Sequence, residues 1–222
     1  MRIIIHTTSN TQTVPFDHQV KIVGALHKWL GHNELHDDLS LYSLSWLSGG
    51  EGNGKGLDFP KGARFFISSP LTEVLLPLAL HIPQNPEIAY GLKATDVRIV
   101  PDPGFGERER FLLQSPVLIK RSDDESADPR SQKFYFPDDL ESDRYMTETL
   151  QHKLKRAGLS RKVKVKFDRT YRNPRVKLTT YKGIQNKATF CPVIIEGEPE
   201  ALRFAWNVGI GNSTGIGFGA LR

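Results

Sequence analysis

From its amino end the chain alternates short apolar runs with polar stretches, and the spacing predicts the elements. Arg2 to His6 (RIIIH) reads as a strand. From Asp17 to Leu30, Val20, Val23, Leu26, Trp29 and Leu30 recur at helical spacing, with Asp17 placed to cap the first turn and Gly31 to end the helix. Leu41 to Leu47 alternates like a strand around Tyr42 and Trp46, and the glycine-rich stretch from Ser48 to Gly56 predicts a mobile connection. Arg64 to Ser68 is a further strand, Leu71 to His81 an apolar helix weakened by Pro77, and Lys93 to Val100 returns to β character. The first hundred residues thus run β, α, β, β, α, β.

In the second half, Pro116 to Arg121 has strand character and precedes an acidic surface loop, SDDESADPRS. Leu140 to Ala157 reads as a helix closed by Gly158, with strands at Lys162 to Asp168, Arg175 to Thr180 and Thr189 to Glu196. Pro199 opens a short helix through about Trp206, and Ile216 to Leu221 reads as a last strand. The element order nearly repeats without a residue-level repeat. The expected fold class is therefore α+β, with tandem ferredoxin-like (RRM-like, βαββαβ) units and antiparallel sheets. The first unit covers residues 1–115 and the second 116–222.

A chain of 222 residues with 38% hydrophobic residues can fill such cores, and Cys191, alone, forms no internal disulfide. A reducing cytoplasm is the expected compartment. The opening apolar run of three is too short for a signal peptide, and Val74 to Leu80 falls far below the roughly 20 residues that cross a bilayer, so no membrane partner is expected.

Charge changes the picture. The formal net charge is +5, but Lys153 to Lys187 holds 13 Lys or Arg against one acid, Asp168, leaving 17 basic and 24 acidic residues elsewhere. So concentrated a cationic stretch repels itself and points to a polyanionic partner, nucleic acid first. Lys162, Lys164 and Lys166 share one face of a predicted strand whose other face is Val163, Val165 and Phe167. That rail suits phosphates, and Arg169, Arg172, Arg175 and Lys177 continue it, with Tyr171 and Tyr181 interleaved as stacking candidates. The alternative is an edge strand shielded by lysines.

The carboxyl end reads WNVGIGNSTGIGFGALR, with Gly209, Gly211, Gly217 and Gly219 at fixed spacing. Such glycines make either an anion cradle of backbone N–H groups or a tight packing loop. No Gly-Lys-Ser/Thr follows them, and Thr214 stands where a dinucleotide fingerprint needs glycine, so nucleotide-cofactor binding is disfavoured. The G-h-G-x5-G-h-G pattern after tandem ferredoxin-like units resembles the CRISPR-associated endoribonucleases of the repeat-associated mysterious protein (RAMP) superfamily. The resemblance implies metal-independent cleavage of precursor CRISPR RNA within its repeats, no cofactor, and 5′-hydroxyl and 2′,3′-cyclic phosphate ends. CRISPR repeat RNA is the implied partner; an interference complex and a homodimer stay open.

Such cleavage needs the ribose 2′-OH to attack the adjacent phosphorus, with a base to take its proton and an acid for the leaving 5′-oxygen, work that suits histidine near neutral pH. His27, His32 and His36 crowd one segment. The resemblance places the catalytic histidine after the first helix, which favours His36, with His32 in reserve. The family's tyrosine and lysine have no clear counterpart; Lys28, Lys21, Tyr42 and Lys55 are the candidates to assist. Two alternatives remain: a noncatalytic RNA-binding subunit, and a zinc hydrolase using His32 and His36 at i and i+4, where Glu34 stands one place off the zincin pattern.

Overall fold

The computed structural model of the chain describes residues 1–31, 39–128 and 131–222. β1 (Arg2–Thr7) is the central strand of a first sheet; Ile3 and Ile5 are fully buried under the helices while Ile4 is half covered. α1 (Gln19–Leu30) turns Ile22, Val23, Leu26, Trp29 and Leu30 inward, and Gly31 at φ 70° ends it. Asp17 does not cap α1. His18 holds the cap position but its side chain does not cap the helix; its backbone N–H (3.2 Å) and its ring Nδ1 (2.9 Å) both meet the Pro15 carbonyl in the entering turn.

Of the strand expected over 41–47, only β2 (Ser43–Leu44) forms a ladder. The glycine-rich stretch after it is pinned rather than free. β3 (Glu51–Gly52) inside it pairs with β4 (Leu57–Asp58) directly after it, and the Asn53 carboxamide oxygen accepts the Lys55 and Gly56 N–H groups at 3.0 and 2.9 Å. β5 (Arg64–Ser68), α2 (Thr72–Gln84), β6 (Glu87–Ala89) and β7 (Leu92–Val100) complete the unit, in the antiparallel order β2-β5-β1-β7-β6. α2 runs through Pro77 and on past His81. Pro77 and Pro83 both lie inside it at about 3 kcal/mol each, and burying Val74, Leu75, Leu78 and Ile82, at roughly 1.5–3 kcal/mol each, offsets them.

The second sheet opens with β8 (Arg108–Phe111), whose sequence RERF gave no apolar signal. β9 (Lys120–Ser122) and β10 (Gln132–Phe134) pair across the acidic loop. α3 (Glu141–Arg156), β11 (Val163–Phe167) and β12 (Arg175–Tyr181) follow. The single strand expected over 189–196 breaks at Cys191 and Pro192: β13 (Ile184–Phe190) pairs with β12, while β14 (Val193–Gly197) lies between β11 and β8. After α4 (Pro199–Val208), the strand expected over 216–221 is replaced by a 3-10 turn at Thr214–Ile216, and only residues 220–222 bond to 112–114. That tail takes the place of a fourth strand beside β8. Both units therefore follow the ferredoxin-like order 4-1-3-2, and the fold class is the expected one.

β11 is not a bare edge. Three side chains of α3 meet its outer backbone: Asp143 accepts the Phe167 N–H (3.0 Å), Thr147 accepts the Val165 N–H (2.9 Å) and donates to the Val165 carbonyl (3.2 Å), and Gln151 donates to the Val163 carbonyl (3.5 Å). The match is geometric, since four helical residues rise about 6 Å and two strand residues about 6.6 Å. A helix thus stands in for a strand, so Lys162, Lys164 and Lys166 are not needed to shield this edge.

Replacing Thr147→Val should leave the Val165 N–H and carbonyl unpaired and lower stability by about 1–3 kcal/mol, read as a shift of the denaturant midpoint at unchanged slope.

Candidate functional site

Residues 209–219 lie in the seam between the two units. A Cβ on Gly209 would approach Ser43 and the Gly219 carbonyl, one on Gly211 the Leu118 carbonyl, one on Gly217 the Gln19 amide at 1.8 Å, and one on Gly219 the Ile210 carbonyl at 1.8 Å. All four glycines are buried and have φ between 60° and 98°. Their segment donates most of its N–H groups inward: Ile210 to the Gly219 carbonyl, Asn212 to Leu118, Gly217 to Thr214, Gly219 to Pro116. Of the two uses open to such glycines, the geometry is that of tight packing, with only Asn212, Ser213 and Ile216 half exposed.

Two cations fasten this seam. Lys153, fully enclosed, donates to the Val208 carbonyl at the end of α4 (2.9 Å) and to the Thr214 hydroxyl (2.7 Å), which itself donates to the Tyr42 carbonyl at 3.0 Å. Among the described residues no acid faces it, and burial pulls its ammonium down to about 7. Arg2 lies between the Phe66 and Trp206 rings, 3.6 and 3.8 Å from their centroids, and donates to the Leu221 carbonyl at 2.8 Å. Lys153 follows Met146 and Leu150 at i+7 and i+3, a core position in the helical pattern, which is the signal that could have separated it from its cationic neighbours.

Beside the seam opens a groove of about 480 Å³. Trp46 and Leu47 of the first unit form one wall; Tyr171, Arg175, Lys177, Phe190 and Arg222 of the second form the other. Trp46 and Phe190 meet edge to face, centroids 5.7 Å apart. Among the described residues three cations and no acid line this groove, and Arg175 and Lys177 have no acidic partner. The Cys191 thiol on its wall is buried and pushed up to about 11, which makes it a poor nucleophile.

The predicted lysine face differs. It borders a depression where Arg144, Lys164 and Lys166 meet Asp143, Glu148 and Glu196, and Lys166 is paired with Glu196 at 3.1 Å. Lys164 stands directly opposite Glu196 on β14; Lys162 is exposed just before β11. Arg169 is held by Asp143 at 2.5 Å and by the Pro137 carbonyl at 2.8 Å. Arg172 is exposed in the loop before β12. The acids that balance these lysines come from α3 and β14, distant in sequence, so the local count along the chain did not include them.

His36 and His32 lie outside the described residues. Tyr42 is buried against Gly215, its hydroxyl bonded to Ser40, and burial raises its pKa. Lys28 is on the far end of α1, donating to Asn85 (3.1 Å) and to the Glu87 carbonyl, with burial drawing its ammonium below the ordinary value. These contacts share no residue with those of Tyr42, so the structure does not bring Lys28 and Tyr42 together. Among the described residues no three His, Cys, Asp or Glu side chains converge as a metal site requires, and no helix is long and apolar enough to cross a membrane.

Fold and groove together define an α+β protein of tandem ferredoxin-like units with a cationic, aromatic cleft at their seam. The sequence profile described as CRISPR associated protein Cas6, C-terminal, matches residues 100–222, and the chain belongs to that family. Solved structures share the whole fold: a Cas6-related protein from Pyrococcus furiosus (TM-score 0.88, 16% identity, 100% of this chain and 97% of that one), a RAMP protein described as binding different RNA substrates (0.87, 16%, 100% and 98%), and a CRISPR associated protein Cas6 (0.83, 17%, 100% and 98%). No curated protein sequence matches significantly.

Lys153 carries a pH signature. Its folded value of about 7 lies below the ordinary 10.5, so between the two the unfolded chain holds the proton and the folded one does not. Stability should rise with pH from 7 to 9.5, by up to about 1.4 kcal/mol per unit. Lys153→Met should remove that rise, measured as denaturant midpoints of the two proteins across this range.

Proposed function

We propose that this protein binds and cuts CRISPR repeat RNA without a metal, giving 2′,3′-cyclic phosphate and 5′-hydroxyl ends. The observation that carries the reading is the groove: cations without counter-acids beside aromatic rings, in a chain of the Cas6 family. Phosphates would be neutralised by Arg175, Lys177 and Arg222, and unstacked bases would lie on Trp46, Tyr171 and Phe190. The sheet face of Lys162, Lys164 and Lys166 and the exposed Arg172 would extend the contact, with Lys164 and Lys166 weakened by neighbouring acids.

Cleavage then rests on His36, with His32 in reserve. In this reading the imidazole exchanges the protons of the 2′-OH and the leaving oxygen, and the rigid seam fixes the strand for in-line attack. The glycine segment would act through shape, by carrying Tyr42 and the groove wall to fixed places. The second reading, a noncatalytic RNA-binding subunit of an interference complex, is favoured by one observation: Lys28 and the Tyr42 hydroxyl are both engaged elsewhere.

Incubation of repeat RNA with the protein in chelator should yield cyclic-phosphate ends, and His36→Ala should lower cleavage by about 100-fold or more while RNA still binds. Full cleavage by His36→Ala would remove the histidine from the mechanism, and binding without cleavage by the parent protein would establish the second reading.

Arg175→Ala and Lys177→Ala should each flatten the slope of log affinity against log salt by about 0.7–0.9, with Lys164→Ala changing it less. Equal slopes for all three would move the contact away from the groove.

A further inference from the structure

The glycine segment reaches both walls of the groove. A Cβ on Gly217 would lie 3.5 Å from Cδ1 of Trp46, which lines the first wall, and past Gly219 the chain runs through Ala220 and Leu221 to Arg222, which lines the second. A shift of this segment would therefore move the groove. What holds it is a directional chain: the Lys153 amine donates to the Thr214 hydroxyl at 2.7 Å, and Thr214 donates to the Tyr42 carbonyl at 3.0 Å. The same amine donates at 2.9 Å to the carbonyl of Val208, the residue before Gly209.

The number of acceptors selects the form of the lysine. Lys153 meets two among the described residues, and an uncharged amine has two N–H groups to give. An ammonium has three. In so enclosed a site the third would be left unpaired together with its charge, a cost that drives the head group toward water and away from Thr214.

The groups around it do not relieve that cost. Residues 209–219 and Phe204 to Val208 of α4 include no titratable side chain. Residues 40–43 contribute only Tyr42, whose hydroxyl burial keeps protonated, and the start of α1 contributes His18, whose ring burial makes harder to charge. Arg121 of β9, bonded one turn earlier on α3 at Thr149, carries the same sign as the ammonium, and on α3 itself His152 and Lys155 are exposed.

We propose that Lys153 is a positioning residue for the RNA groove and works as an uncharged amine: when it takes up a proton its tie to Thr214 and the Tyr42 backbone is lost, the glycine segment loosens and RNA is held less tightly. The proposal rests on the groove being the RNA site.

The test measures the affinity of the full chain for repeat RNA at pH 8 and pH 6, beside an NMR titration of the Lys153 ε-carbon, whose resonance is the one missing from Lys153→Met. In the free protein that resonance should titrate near pH 7, and with RNA bound about one unit lower. The dissociation constant of the parent should accordingly rise from pH 8 to pH 6 by about fivefold relative to that of Lys153→Met. Thr214→Ser should keep this step, whereas Thr214→Val, which removes the hydroxyl and leaves the lysine enclosed, should abolish it while the resonance still titrates; this pair carries the comparison by itself if Lys153→Met does not fold. Equal steps in parent and variants that all bind RNA, or a resonance that does not titrate between pH 6 and 8, overturn the proposal and leave the groove as the RNA site. A parent that binds no repeat RNA at either pH overturns the reading of the groove, and the proposal with it.

Discussion

Both ferredoxin-like units close on residues 209–219, and the distance between them is set by how little those residues occupy. Side chains at Gly209, Gly211, Gly217 or Gly219 would enter carbonyl oxygens or the Gln19 amide, so either the turn or the contact between the units would be lost. A segment this compact could collapse in several ways. Lys153 and Thr214 tie it to α3, to the end of α4 and to the backbone of Tyr42, which leaves one arrangement. The cost is a lysine amine enclosed without an acid among the described residues, tolerated because burial makes its proton easy to lose and the orphan carbonyl ending α4 supplies partial negative charge.

The cationic excess of the chain is divided among unlike environments by the fold. Lys153 and Arg169 are structural, Lys166 answers Glu196, and even the lone acid of the basic stretch, Asp168, is bonded to Arg110 at 2.7 Å and held below the usual carboxylate range by Thr170 and Arg110. Of the cations that no described acid compensates, Lys162 and Arg172 are exposed elsewhere, while Arg175 and Lys177 stand at the seam. There Arg175 and Lys177 project from a two-stranded ribbon toward Trp46 and Arg222, which come from opposite ends of the chain. A cleft bearing one sign of charge beside apolar walls focuses the field more strongly than the same charges spread over a convex face.

Local pattern was enough for the elements whose stability is mostly their own. The short apolar run of β1, the helical stripe of α1 and the alternation of β11 are visible in the sequence because each buries apolar side chains against whatever lies beneath it. The doubled βαββαβ order and the concentration of charge follow the same way, as does the glycine spacing. Where the outcome depended on a distant partner, the pattern was insufficient. The tail at 220–222 pairs with 112–114 only because β8 is there to receive it, α2 continues through Pro77 because the sheet covers its apolar face, and the lysines of β11 lose their purely cationic character to Glu196 and to acids on α3. Burial and charge compensation are sums over neighbours in space, and residues hundreds of positions apart become neighbours only when the chain has folded.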